Sequence, residues 1–252
     1  TPEHQVFGFT IPGACGVIIG HNEHAAWGVT NAPRDTRDWY RITWRDEEKT
    51  KYLLDDQAQK VQLVEEIIEV RGRKNPHMET VKYTVWGPIV HEDPESDYRD
   101  LAMHWIAHEV QEKKEFYELG VFYRLGQAKT FEDYAAALHN YESPAQNFVM
   151  ANRSGDIAIM VNGKFPLKKP QQGRFVQDGS STLAEWKGFI PMDQVPQVRN
   201  PQRGFVSSAN QHSTGPAYPY YYNSTNFDDY RGRIINRTLE QKNGLTVKDM
   251  MA

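Results

Sequence analysis

Cysteine is almost absent: the 252 residues contain one, Cys15. No intrachain disulfide can form and no thiolate cluster can hold a metal. The compartment stays open, because a chain of this size can build a core large enough to do without disulfides. No apolar run approaches the ~20 residues that a membrane-spanning helix needs, and no secretory leader is visible. Neither sign of charge dominates: 29 Lys and Arg stand against 33 Asp and Glu, for a net charge of -4. That balance gives nucleic acid and anionic membranes no electrostatic hold, so neither is expected as a partner. Internal repeats and low-complexity tracts are also missing. Average apolar and charged fractions argue against disorder, collagen and coiled coil.

Aromatic residues are plentiful, with 6 Trp, 13 Tyr and 11 Phe, enough for flat surfaces in a core or a pocket. Four zones follow along the chain. From Val6 to Trp44, short apolar or alternating runs broken by glycine predict strands. Between Lys51 and His91, alternation through Val61, Leu63, Ile67, Ile68, Val70, Val81, Tyr83 and Val85 predicts a β-meander with one wet face, turning at Asn75-Pro76. Leu101 to Tyr141 is expected to be helical, with Phe116, Leu119, Val121, Phe122 and Leu125 at helical spacing. Thr130-Phe131-Glu132-Asp133 forms a capping box, opening a helix whose inner face carries Tyr134, Ala137, Leu138 and Tyr141. Strands return at Asn147–Ala151, Asp156–Val161 and Gly204–Ala209, with a turn at Asn152-Arg153-Ser154-Gly155. A last helix runs from Asp229 to Lys242 and stops at Asn243-Gly244. Strands, then helices, then strands give an α+β class with mainly antiparallel pairing. The ends are abrupt: Thr1 opens almost directly onto a strand, and Met251-Ala252 falls in a helix start, so the sequence reads as a fragment.

Candidate chemistry is scattered. His21 and His24 with Glu23 suggest a metal. With no third ligand in register, the segment reads as a polar turn between buried strands. Asp35 and Asp38, with the Arg37 carbonyl between them, offer oxygens of the kind calcium takes, and equally make a solvated turn. Asn210, after Ser207-Ser208-Ala209, could donate to an oxyanion, although asparagine is commonplace in turns. Thr1 could act as nucleophile with its own α-amine as base, but Pro2 crowds it. The acceptor patterns at Asn223-Ser224-Thr225 and Asn236-Arg237-Thr238 are of a kind common by chance and carry no weight.

Taken together, ordered motifs point further. They begin with Gly8-Phe9-Thr10-Ile11-Pro12-Gly13, Gly20-His21-Asn22 and Ala26-Trp27-Gly28-Val29-Thr30-Asn31, followed by Trp86-Gly87-Pro88-Ile89-Val90. Pro144-Ala145-Gln146-Asn147-Phe148-Val149, Gly155-Asp156-Ile157 and Gly163-Lys164-Phe165-Pro166 come next. Trp186-Lys187-Gly188-Phe189-Ile190-Pro191, Asn200-Pro201, Gly204-Phe205-Val206, Ala209-Asn210 and Tyr230-Arg231-Gly232-Arg233-Ile234 complete the series. In this order and spacing, from about Val6 to about Leu245, the chain resembles the catalytic β-chain of the penicillin acylase family.

The resemblance implies an N-terminal-nucleophile hydrolase, an αββα sandwich that is incomplete here. Residues 1–252 would form one partial domain, with a β-meander insertion over 51–91 and a helical segment over 101–141. In that family a self-cleaved precursor exposes an N-terminal Ser, which attacks the amide of an N-acyl substrate while its own α-amine takes the proton. Residue by residue, the backbone N–H of Asn31 and the side-chain amide of Asn210 would form the oxyanion hole, and Arg231 would orient Asn210 and the nucleophile's amine. Asp35, the Arg37 carbonyl and Asp38 would hold a structural Ca2+, with further ligands on an α-chain of the same precursor or in loops near Gly173 and Tyr220. The nucleophile departs from the pattern: no Ser-Asn pair occurs, and Thr1 does not align with it. Cys15 stands where the family often has Pro and reads as a buried small residue. The fragment alone is therefore expected to be inactive, and the full-length protein to be a periplasmic or extracellular amidohydrolase. The alternative is a non-catalytic binding or scaffold module on the same architecture. Acyl specificity, which in the family spans penicillins, cephalosporin side chains and acyl-homoserine lactones, stays open.

Overall fold

The computed structural model describes residues 5–14, 16–91, 95–109, 118–221, 223 and 228–251. Thr1, Cys15, Phe116 and Ser224-Thr225 lie outside them. Strands β1 (Val6–Phe9), β2 (Ile19–Asn22), β3 (Ala25–Asn31) and β4 (Arg37–Arg41) come first. They are followed by β5 (Lys51–Leu54), β6 (Gln57–Lys60), β7 (Gln62–Ile68), β8 (His77–Thr84), β9 (Gly87–His91) and β10 (Leu101–Trp105). Helices α1 (Glu118–Leu125) and α2 (Phe131–Leu138) precede β11 (Gln146–Asn152), β12 (Ile157–Asn162), β13 (Gln177–Asp178) and β14 (Gln197–Arg199). Helices α3 (Tyr230–Glu240) and α4 (Val247–Met251) come last. No described helix is long and apolar enough to cross a membrane.

The first sheet has the order β1-β2-β3-β11-β12-β14, antiparallel throughout. Side chains alternate between its faces. One face carries Trp27, Phe148, Met150, Ala158 and Met160 into a core completed by Val121, Phe122 and Leu125 of α1 and by Tyr134, Ala137 and Leu138 of α2. The capping box is as read: Thr130 Oγ1 accepts from the Asp133 N–H at 3.1 Å, and Asp133 Oδ2 accepts from the Thr130 N–H at 3.1 Å. Those bonds satisfy two N–H groups that the helix start would otherwise leave unpaired.

The opposite face carries Ala26, Gly28, Thr30, Asn147, Val149 and Ala151. At one end it is covered by a second core of Ala32, Val161, Phe165, Ile190 and Val195. Elsewhere it forms the floor of a cavity of about 460 Å³ that also touches Gly204, Phe205 and Val206. The candidate site sits at this transition.

The second sheet has the order β13-β4-β10-β9-β8-β7. Among the described residues only β13 is parallel to its neighbour, through Gln177 against Tyr40. Its core stacks Tyr40 on Trp86, with ring centroids 4.1 Å apart, beside Ile42, Tyr52, Ile89 and Ala102. The two sheets share the chain at β3 and β4, so the five-residue passage between them is held at both ends.

Three expectations change. Leu101–Trp105, placed in the helical zone, is strand β10 between β4 and β9. Leu101 and Ala102 are both buried there, so a strand covered on two faces loses the alternation that would have revealed it. Gly204–Ala209 is not a strand. Gly204 takes φ 76°, and side chains bond this backbone instead: Gln211 Oε1 accepts from the Ala209 N–H, and Gln211 Nε2 donates to Ser207 O. The meander is paired as expected, but Leu63, Ile67, Ile68 and Met78 on its β7–β8 hairpin are exposed, so its outer part has no dry face among the described residues.

Candidate active site

Strand β3 delivers Asn31 to the end of the first sheet. The Ala32 N–H donates to Ala145 O at 3.1 Å, which makes Ala32 a hydrogen-bonded position of the β3–β11 ladder. Asn31, opposite Gln146, is therefore a position whose own N–H points away from β11. On that side β2 pairs with Ala26 and Trp27, well before the strand reaches Asn31.

Asn210 meets this strand end from 179 residues away, its Nδ2 donating to Asn31 O at 2.7 Å. It adopts φ 66°, a left-handed conformation that asparagine tolerates better than most residues. Arg231, in the first turn of α3, donates from Nη2 to Asn210 Oδ1 at 2.8 Å and to Ala209 O at 3.1 Å. That bond fixes the amide, so its nitrogen faces the strand end. Gly232 is buried, and a β-carbon there would press on Gln211 at 3.3 Å; its absence lets α3 lie close to the loop. Ser207 Oγ donating to Asn236 Oδ1 at 2.7 Å ties the same loop to α3. The structure thus brings together Asn31, Asn210 and Arg231, the three residues expected to surround an oxyanion.

A layer beneath them was missed. Asn147 on β11 is buried, and its Nδ2 lies 3.1 Å from each of Thr30 Oγ1, Asn31 O and Ser208 Oγ. Thr30 Oγ1 and Ser208 Oγ are 2.5 Å apart. The sequence did hold a signal: Asn147 is a polar residue in a strand whose neighbours Phe148 and Met150 are buried and apolar. Asn210 Nδ2 carries two protons, and one serves Asn31 O. The other, with the Asn31 N–H that points away from β11, makes a pair of neutral donors; Thr30 and Asn147 beneath them lie two residues along the strands from Gly28 and Val149 of the cavity floor.

The candidate calcium loop lies a few residues further along, and it contains a cation of its own. Lys168 Nζ sits 2.5 Å from Asp35 Oδ1 and 2.9 Å from Asp38 Oδ1, with the Arg37 carbonyl at 3.4 Å. The remaining carboxylate oxygens are also engaged. Tyr221 Oη donates to Asp35 Oδ2 at 3.0 Å, while Gln172 Nε2 and Trp186 Nε1 donate to Asp38 Oδ2 at 3.0 and 2.7 Å. Burial first, and the Asp35 charge second, push the Tyr221 phenol well above its ordinary value, so it serves as a neutral donor. Gly173 abuts the Asp35 carboxylate where a β-carbon would collide. The loops near Gly173 and Tyr220 do reach the acidic pair, but they bring donors. A calcium ion needs roughly six to eight oxygen ligands; this set, with an ammonium at its centre, does not fit one.

The histidines have other settings. His21 and His24 are exposed at the β2–β3 turn. Asn22 shapes that turn, its Oδ1 accepting from the His24 and Ala25 N–H groups. His104 on β10 stacks on Trp186 at 3.7 Å, with Nε2 3.3 Å from Glu109 Oε1. Burial holds its imidazole below the ordinary histidine value, although Glu109 pulls the other way.

Comparison with known proteins gives the family and the fold. The family model described as penicillin amidase matches residues 1–252. The acyl-homoserine lactone acylase QuiP of Pseudomonas aeruginosa is 26% identical over 225 residues, covering 86% of this chain and 26% of that protein. The penicillin acylase 2 proenzyme of Pseudomonas sp. strain SE83 is 25% identical over 249 residues, covering 98% of this chain and 31% of that protein. The chain therefore spans about a quarter to a third of the length of these relatives. A solved structure, a thermostable penicillin G acylase from Alcaligenes faecalis, superposes with a TM-score of 0.79 at 22% identity, covering 99% of this chain and 44% of that one. The mixed α+β architecture with mainly antiparallel sheets is the penicillin acylase fold.

Proposed function

Because the chain belongs to the penicillin amidase family, we propose that it supplies the oxyanion-stabilising part of an amidohydrolase that cleaves the linear amide bond of N-acyl substrates. The observation that carries this reading is the convergence of Asn210 Nδ2 on the Asn31 carbonyl at 2.7 Å, with Arg231 bonded to the same amide at 2.8 Å.

In the proposed reaction an N-terminal Ser of the full-length protein attacks the amide carbonyl, and its α-amine takes the hydroxyl proton. The carbonyl π electrons move onto oxygen, where the Asn31 N–H and the second proton of Asn210 Nδ2 stabilise them. Collapse of the adduct expels the amine, protonated by the α-ammonium, and leaves an acyl-enzyme. Water then resolves it by the same two half-steps. An α-amine suits the task because its ordinary pKa of about 7.7–8.0 lies near the working pH. Arg231 keeps Asn210 from rotating its carbonyl oxygen toward the developing negative charge. The acyl portion would lie along the apolar floor formed by Gly28, Val149 and Val206.

An α-chain of the same precursor, self-processing, and a periplasmic or extracellular location belong to this proposal and follow from family resemblance. The experiment is turnover of a panel of N-acyl anilides by the intact protein, wild type against Asn210→Ala. Losing one donor to an oxyanion should lower kcat by about 10²–10³. An intact protein that folds yet hydrolyses no member of a broad panel would point instead to a binding or scaffold module.

A further inference from the structure

The cluster around Asp35 and Asp38 takes no part in the proposed chemistry, yet it is the most deeply buried group of charges in the described structure. The side chains of Lys168, Asp35 and Asp38 are 1%, 2% and 0% exposed. Ions stripped of water to this degree persist only when their partners are close and complete. Here they are. The ammonium reaches both carboxylates and faces the Trp186 ring at 5.2 Å. Tyr221, Gln172 and Trp186 donate to the carboxylate oxygens that Lys168 does not take.

We infer that Lys168 is the resident cation of this loop, an ammonium built into the chain at the point where the acidic pair would otherwise gather a divalent metal, so that this scaffold needs none. Two arguments support the assignment. The first is occupancy: Nζ stands between both carboxylates and within reach of the Arg37 carbonyl, the three groups a metal would have to share. The second is donor chemistry. Phenol O–H, amide N–H and indole N–H groups take the Oδ2 atoms of Asp35 and Asp38, which leaves each carboxylate one oxygen, the one that Lys168 already holds, far short of the roughly six to eight oxygens of a calcium site. A calcium ion entering here would displace the ammonium into an apolar surround or sit against it, and like charges in a dry site repel strongly. Lys168 also ties its own loop to the Asp35–Asp38 stretch and, through Asp35, to Tyr221, three separate parts of the chain.

The inference concerns the scaffold, and its readouts do not involve turnover, so they stand apart from the amidase proposal. The intact wild-type protein is dialysed against a calcium chelator, then assayed for bound metal and for Tm with and without millimolar calcium chloride. The expected result is substoichiometric calcium and a Tm that neither treatment moves. One tightly held calcium per chain, or a Tm lowered by chelation, overturns the assignment. Lys168→Met, which keeps much of the aliphatic stem and removes the charge, is expected to lower Tm by on the order of 10 °C. A variant as stable as wild type overturns the assignment as well. Should the variant not fold, the wild-type measurements decide alone.

Discussion

The chain between β3 and β4 serves two polar clusters that differ in almost every respect. At Asn31 the groups that face the site are a neutral amide and a backbone strand end, half-exposed, with the Arg231 guanidinium behind Asn210 and Asn210 holding a donor proton beyond the one it uses. At Asp35, a few residues on, the groups are full charges, dry, and bonded on every acidic oxygen. The first arrangement can respond to an incoming negative charge, because its dipoles are aimed and not consumed. The second can respond to very little. The comparison separates a site from a strut: chemistry needs a preorganised group with capacity left over, and a strut needs none left.

Substitutions can test how sharp that division is. The largest effect on stability is expected from Asp38→Ala, which removes the carboxylate shared by Lys168, Gln172 and Trp186. Breaking a buried charge network of this kind costs about 3–5 kcal/mol, read as a shift in the denaturation midpoint. A cost within experimental scatter would mean that water or another anion takes the carboxylate's place, and the strut description would fail. Asn210→Ala should act chiefly on rate; the left-handed backbone and the two lost hydrogen bonds add a stability cost of about 1 kcal/mol, well short of that at Asp38. Asn147→Ala lies between the two. Its amide sits under Thr30, Asn31 and Ser208, so its loss should cost about 1–3 kcal/mol and also lower kcat by loosening the Asn31 strand end. If stability falls and kcat holds, Asn147 belongs to the scaffold alone.

The smallest expected effect concerns His104, whose ring covers Trp186 beside the charged cluster. Its folded pKa is depressed by burial, so the unfolded chain binds a proton first, near pH 6.5. The stability present above that pH is therefore lost as pH falls toward the depressed folded value. His104→Phe keeps a stacked ring and should flatten that part of the stability-pH curve. An unchanged acid slope would assign the loss to carboxylates instead.

That Asn31, Asn210 and Arg231 come together was legible in the sequence, and the reason is local. Asn31, Asn210 and Arg231 each sit inside an ordered run of glycine, proline and aromatic residues, and those runs carried the resemblance that assigned them. The Thr130–Asp133 capping box was legible because its two bonds span three residues. Lys168 was not. It lies in an unremarkable Lys168-Lys169-Pro170 stretch, and its partners are 133 and 130 residues away. Nothing in a one-dimensional pattern distinguishes it from the exposed Lys169 beside it. β10 was hidden for a related reason: burial on two faces is a tertiary fact that erases the alternation by which strands are recognised. The loop at Gly204–Ala209 has strand-like composition, yet Gln211 occupies the backbone groups that a neighbouring strand would need.

The concealment of Lys168 also has a chemical consequence. Amine-directed reagents act on lysines that reach solvent, as Lys187 does with its side chain 65% exposed. Lys168 becomes available to them only when the cluster around it opens. The extent of labelling at this one residue, set against the rapid modification of surface amines, therefore records how often the passage between the two sheets comes apart in an otherwise native population.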